Sequence, residues 1–87
     1  MASTVKVPIN LYIFTQIAEG KIDPNTSIEY TATDFETGTG SIQYESYGKE
    51  YTIKELQRLS IEQSDNVAIN MLLRYVGIDK VHSFENQ

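Results

Sequence analysis

Apolar residues near the start of the chain fall on two helical stripes. Val5, Ile9, Tyr12, Ile13 and Ile17 form one, and Val7, Leu11, Phe14 and Ala18 form the other. This spacing predicts a helix over 3–19 that is apolar nearly all round, the pattern of a buried helix. Ser3 is placed to cap it and Gly20 to stop it. Pro8 falls in the second turn and has no N–H to offer the carbonyl of Thr4, which predicts a small local distortion. The polar residues that share a face of this helix are Ser3, Lys6 and Asn10.

The next thirty-one residues, Lys21 to Tyr51, lose this period. Asp23-Pro24-Asn25 is a turn signal. Ser27–Thr31 alternates weakly, as a short strand does. Thr37-Gly38-Thr39-Gly40-Ser41 reads as a flexible loop, and Ile42–Tyr47 as a second short extended piece; the two extended pieces allow a short hairpin. So long an irregular run in so small a domain is unusual. It is either a surface loop, or a segment that lines a site or packs on something missing from this chain. Helical periodicity returns at Thr52-Ile53-Lys54-Glu55, a capping box, and predicts a helix over 52–63 with Ile53, Leu56 and Leu59 inward. Ser64-Asp65-Asn66 interrupts it, since all three side chains favour caps and turns. Val67, Ala68, Met71, Leu72 and Tyr75 then define a helix over 66–76, stopped at Gly77. Asp79 caps a last helix over 79–85. The fold class expected is mainly α: residues 1–87 as one small helical unit with a long irregular middle segment.

Composition narrows the chemistry. The chain has 87 residues, 40% of them apolar and 22% charged, which suits a folded domain. It has no cysteine, so disulfides, thiolate metal sites and thiol catalysis are out. A single histidine, His82, cannot build an all-histidine metal site and reads as a solvated helix residue; no metal and no cofactor is expected. The net charge is −5 and the seven basic residues are scattered, which argues against nucleic acid and against a polybasic membrane patch. The apolar run Leu11–Phe14 is far too short to span a bilayer. The opening residues Met1-Ala2-Ser3-Thr4 carry none of the segments of a signal peptide, so the chain is expected either to be cytosolic or to have lost its start. Tyr44, Tyr47 and Tyr51 are close enough in sequence to cluster over the middle loop.

Two motifs carry candidate chemistry. In Ser3-Thr4-Val5-Lys6, residues three apart share a helical face, so a lysine amine can reach a serine hydroxyl and take its proton. The helix N-terminus adds N–H groups near the developing negative charge. Taken alone, Ser3 reads as a plain N-cap and Lys6 as a solvated first-turn residue. Ser64-Asp65-Asn66, sixty-one positions after Ser3, reads alone as a linker and N-cap. Together the two motifs match two thirds of the signature of class A β-lactamases and penicillin-binding proteins, whose third part is Lys-Thr-Gly.

The neighbouring residues extend that match. Ala2-Ser3-Thr4-Val5-Lys6-Val7-Pro8-Ile9 resembles the nucleophile helix of class A serine β-lactamases, and Glu19-Gly20-Lys21-Ile22-Asp23 resembles its end. Gly38-Thr39-Gly40-Ser41-Ile42, Tyr51-Thr52-Ile53-Lys54-Glu55-Leu56 and the stretch from Ser60 to Asn70 are similar to further segments of the family. The resemblance covers nearly all of residues 2–77. It implies that Ser3 is the acylated nucleophile, Lys6 its proton acceptor and Ser64 a proton relay. Asn66 then holds the substrate's amide and helps hold Lys6, and Asp65 is structural, tying the loop to backbone N–H groups. The substrate implied is a β-lactam or a D-Ala-D-Ala-type peptide amide.

The departures are equally specific. Nothing after Ser64 is Lys-Thr-Gly; the only later lysine is Lys80. No stretch around Glu85 resembles the family's deacylating glutamate loop, and Thr37-Gly38-Thr39-Gly40 stands where many members place an aromatic rim residue. The resemblance therefore implies a helical subdomain of a longer exported hydrolase whose α/β domain is its partner. Alone it is expected to be nearly inert: in the family the Lys-Thr-Gly strand also supplies one of the two oxyanion-hole N–H groups, and losing one such donor costs roughly 2.7–4 kcal/mol. A non-catalytic sensor homologue and an independent helical interaction domain are the alternatives. The all-round apolar first helix weighs against the last, because three short helices can hardly cover it.

Overall fold

The computed structural model describes residues 2–85, with side chains from 5 to 84. Helix α1 (Ala2–Ala18) begins one residue before the expected cap, so Ser3 lies in the first turn. Serine is a tolerable helix residue, and the turn runs through it. At the far end Gly20 takes a left-handed φ of 75°. Its N–H donates to the Ile17 carbonyl at 3.0 Å and that of Lys21 to the Gln16 carbonyl at 2.8 Å, the paired bonds of a Schellman stop.

Burial of α1 is one-sided. Val5, Ile9 and Ile13 are buried, whereas Val7, Leu11 and Phe14 are half exposed or more. The expectation of a helix covered all round is met on the first stripe only. The second stripe, with Ile61 beside it, faces solvent along a groove of about 260 Å³.

The middle segment is pinned rather than loose. Strand β1 (Ser27–Glu29) pairs antiparallel with β2 (Glu50–Thr52), with Ile28 opposite Tyr51. No tight hairpin joins them; residues 30–49 form the connection. Ile42–Tyr44, expected as extended, is instead a 3₁₀ turn that buries Ile42, and a second such turn spans Ala32–Asp34. A lone apolar side chain can be buried by one turn as well as by a strand, and Ile42 has no pairing partner to hold it extended. The expected tyrosine cluster does not form either. Tyr47 packs edge-on to Tyr30 at 5.0 Å, Tyr44 is exposed, and Tyr51 lies under the Lys49 ammonium.

Helix α2 (Ile53–Glu62) opens on a complete capping box between Thr52 and Glu55. Helix α3 (Asn66–Val76) is capped by Asp65, and α4 (Ile78–Glu85) follows directly after Gly77. Ile9 and Ile13 of α1 share one core with Ile53 and Leu56 of α2, Val67, Met71 and Leu72 of α3, and Val81 of α4. Tyr30 and Ile28 close that core from the ribbon side. Helix α3 touches every other helix and so acts as the spine against which α1 and the 64–66 turn are set.

Candidate active site

Lys6 sits on the solvent side of α1, one turn before a buried polar anchor, Asn10. The Asn10 side-chain amide donates to the Lys6 carbonyl at 2.9 Å and to Ser60 Oγ of α2 at 3.0 Å. The Ser60 hydroxyl in turn donates to the Gln57 carbonyl at 2.8 Å. These buried bonds tie the helix bearing Lys6 to the helix that leads into the 64–66 turn. Asn10 was legible as a polar residue on the Lys6 face, but its partner fifty residues away was not.

Across that tie the two motifs meet. Lys6 Nζ donates to Ser64 Oγ at 3.0 Å, over a separation of 58 residues. Ser64 carries a φ of 51°, the one non-glycine residue with a left-handed backbone among those described. Directly behind it, the fully buried Asp65 carboxylate accepts three backbone N–H groups. Ser41 and Ile42 donate to Oδ2 at 3.0 and 3.1 Å, and Ala68 donates to Oδ1 at 3.0 Å. One acid therefore caps α3 and anchors the middle segment. Charge-assisted bonds of this kind are roughly twice as strong as neutral ones.

The 37–41 segment is drawn down onto the turn. Thr39 Oγ1 donates to the Ser64 carbonyl at 2.7 Å, and the Gln43 amide caps the carbonyls of Gly38 and Gly40. A Cβ at Gly38 would come within 2.6 Å of Asn66 Nδ2, and one at Gly40 within 2.6 Å of the Asp65 Cα. These two glycines therefore permit a close approach of backbone to turn, which corrects the flexible-loop expectation. Asn66 opens α3 and points its amide at the Thr37 carbonyl, a long bond of 3.5 Å; its described hydrogen bond does not go to Lys6. The Ser3 side chain, expected as the nucleophile, lies outside the described residues.

A further anchor stands behind the site. Arg74 of α3 grips the buried Asp34, and Asn70 donates to the Asp34 carbonyl and to Glu36. The Asp34 carboxylate holds the Arg74 guanidinium above its ordinary pKa. No local pattern announces a pair forty residues apart, and sequence reasoning missed it. Among the described residues, no cluster of three His, Asp or Glu side chains is placed to hold a metal ion, and no helix is long and apolar enough to cross a membrane.

A family model for the β-lactamase enzyme family matches residues 1–86. The β-lactamase VEB-1 of Pseudomonas aeruginosa is 32% identical over 89 residues, covering 99% of this chain and 30% of its own length. A β-lactamase of Sphaerobacter thermophilus superposes with a TM-score of 0.83 at 33% identity, covering 93% of this chain and 31% of that one. A mutant of PBP-A, solved as an acyl-enzyme complex with penicillin G, superposes at 0.80 with 30% identity over 87% of this chain and 29% of its own. The architecture is thus a small helical subdomain of the fold shared by class A β-lactamases and related penicillin-binding proteins. The chain belongs to the β-lactamase enzyme family. It spans about 30% of the length of the relatives it matches.

Proposed function

We propose that this chain is the helical half of the active site of a serine hydrolase acting on β-lactams or D-Ala-D-Ala-type amides through an acyl-serine. The observation that carries the reading is the Lys6 Nζ to Ser64 Oγ hydrogen bond, which joins a residue of each motif. The penicillin acyl-enzyme of the PBP-A relative supports the substrate class.

Each residue has a chemical task. Ser3 Oγ attacks the amide carbonyl carbon while the Lys6 amine takes its proton. The tetrahedral adduct collapses, the C–N bond breaks, and the leaving nitrogen is protonated by the Ser64 hydroxyl. Ser64 regains its proton from the Lys6 ammonium along the 3.0 Å bond. Asn66 holds the substrate's side-chain amide, and Asp65 fixes the turn. Release of the acyl group needs a water-activating base, which the resemblance assigns to a segment beyond these residues.

The same reading makes the isolated 87 residues nearly inert and gives the exposed Val7–Leu11–Phe14 stripe a cover in the remaining α/β domain of an exported parent. The test has two arms. A fluorescent penicillin incubated with the 87-residue chain leaves no stoichiometric adduct on Ser3 within minutes, as read by intact mass. Residues 2–77 grafted in place of the matching segment of the Sphaerobacter thermophilus β-lactamase give a protein that is acylated, and Ser3→Ala abolishes the adduct. A folded graft that is not acylated sinks the reading.

A further inference from the structure

Ser64 stands where α2 ends, at a position with a left-handed backbone. Helix stops of this kind are usually filled by glycine, because a Cβ is strained there. Here φ is 51° and the residue is a serine. The Leu59 carbonyl accepts both the Gln63 and Asp65 N–H groups, so the chain turns sharply around Ser64. Its own carbonyl belongs to neither helix. Thr39 supplies the missing donor, its hydroxyl 2.7 Å from the Ser64 oxygen. The Thr39 carbonyl in turn accepts the Asn66 N–H at 3.4 Å, so one residue holds both sides of the turn. A strained conformation persists only where its surroundings over-determine it. Gly38 and Gly40 on either side admit the close approach that makes these bonds reach.

We propose that Thr39 is a positioning residue of the site: its side-chain hydroxyl locks Ser64 in the left-handed conformation that aims Oγ at Lys6. The inference rests on reading Ser64 as the proton relay, but its geometry can be judged without any catalysis. Thr39 is itself exposed, so replacing it leaves the core intact. Its role is to set the rotation of a neighbouring peptide plane, not to touch substrate.

The experiment compares Thr39→Val and Thr39→Ser in the labelled 87-residue chain by NMR. Couplings that report the sign of φ at Ser64 are recorded, with the NOE between the Lys6 Cε and Ser64 Cβ protons. Thr39→Val, which keeps the shape and removes the hydroxyl, is expected to lose the positive φ and the NOE. Slow exchange at the Ser41 and Ile42 amides, held by Asp65, persists and shows that the loop is still docked. Thr39→Ser restores both signals. In the acylated graft, Thr39→Val slows acylation by about tenfold to a hundredfold, as a displaced catalytic group does, and Thr39→Ser stays near the parent rate. Retention of the positive φ and the NOE in Thr39→Val overturns the proposal, as does their loss in Thr39→Ser. A folded graft that is never acylated overturns the hydrolase reading alone, and the NMR arm still decides the role of Thr39.

Discussion

Arg74 Nε and Nη2 donate to the two carboxylate oxygens of Asp34, at 2.9 and 3.1 Å, forty residues apart in sequence. The Asp34 side chain is 2% exposed and that of Arg74 40% exposed. Thr31 adds its N–H and hydroxyl to the same carboxylate. This fork fastens the middle segment to α3 at Asp34, as Asp65 fastens it at Ser41 and Ile42. Arg74→Ala leaves a buried charge with neutral partners only, and is expected to cost about 3 kcal/mol. Urea denaturation of the two chains checks the value. A loss near zero would mean that water already satisfies the acid.

Asp65→Asn presents an NH₂ group where the carboxylate now faces N–H donors on both sides. The expected loss is about 2–3 kcal/mol. It should appear first as faster amide exchange at Ser41, Ile42 and Ala68, the three donors, before exchange rises in the core of α2.

Stability and chemistry should separate at Ser64. Ser64→Gly relieves the left-handed strain and should leave the chain as stable or up to about 1 kcal/mol more stable, by thermal melting. In the grafted enzyme the same change would, on the proposed mechanism, remove the proton relay and should lower the acylation rate. A destabilised glycine variant would show that the hydroxyl's bond to Lys6 outweighs the strain.

The exposed stripe on α1 predicts association or dye binding by the isolated chain. Leu11→Gln at this half-exposed position should weaken binding of a hydrophobic fluorophore while leaving the melting temperature within about 4 °C, since surface changes rarely exceed ~0.5 kcal/mol. A large drop in melting temperature would place Leu11 in a covered surface instead.

The α2 capping box carries a pH signature. The Thr52 N–H donates to Glu55 Oε1 at 2.9 Å, and this bond leads the causes that hold the Glu55 carboxyl below its ordinary value of 4.5. A depressed folded value means stability present above the unfolded pKa and lost as pH falls through the folded one. Glu55→Gln should therefore flatten part of the acid limb of a stability–pH profile below about pH 4.5. Thr52→Ala should cost about 1 kcal/mol at neutral pH.

The features legible in the sequence are those whose cause lies within a few residues. Thr52 and Glu55 cap α2 through bonds inside one turn, Gly20 and Gly77 stop helices by their own backbone freedom, and the Val5–Ile9–Ile13 stripe is a matter of helical period. The linear motifs Ser3–Lys6 and Ser64–Asn66 were visible for the same reason. Long-range partners were decided by packing. Nothing near Lys6 says that its amine meets Ser64, and nothing near Thr39 says that its hydroxyl holds the Ser64 carbonyl. Ile42 became a 3₁₀ turn because the Asp65 carboxylate captured its N–H, and Val7, Leu11 and Phe14 stayed wet because the three shorter helices cover one side of α1. Such contacts cost the closure of loops of twenty to sixty residues. They form only where the whole chain, folded around α3, brings both ends together.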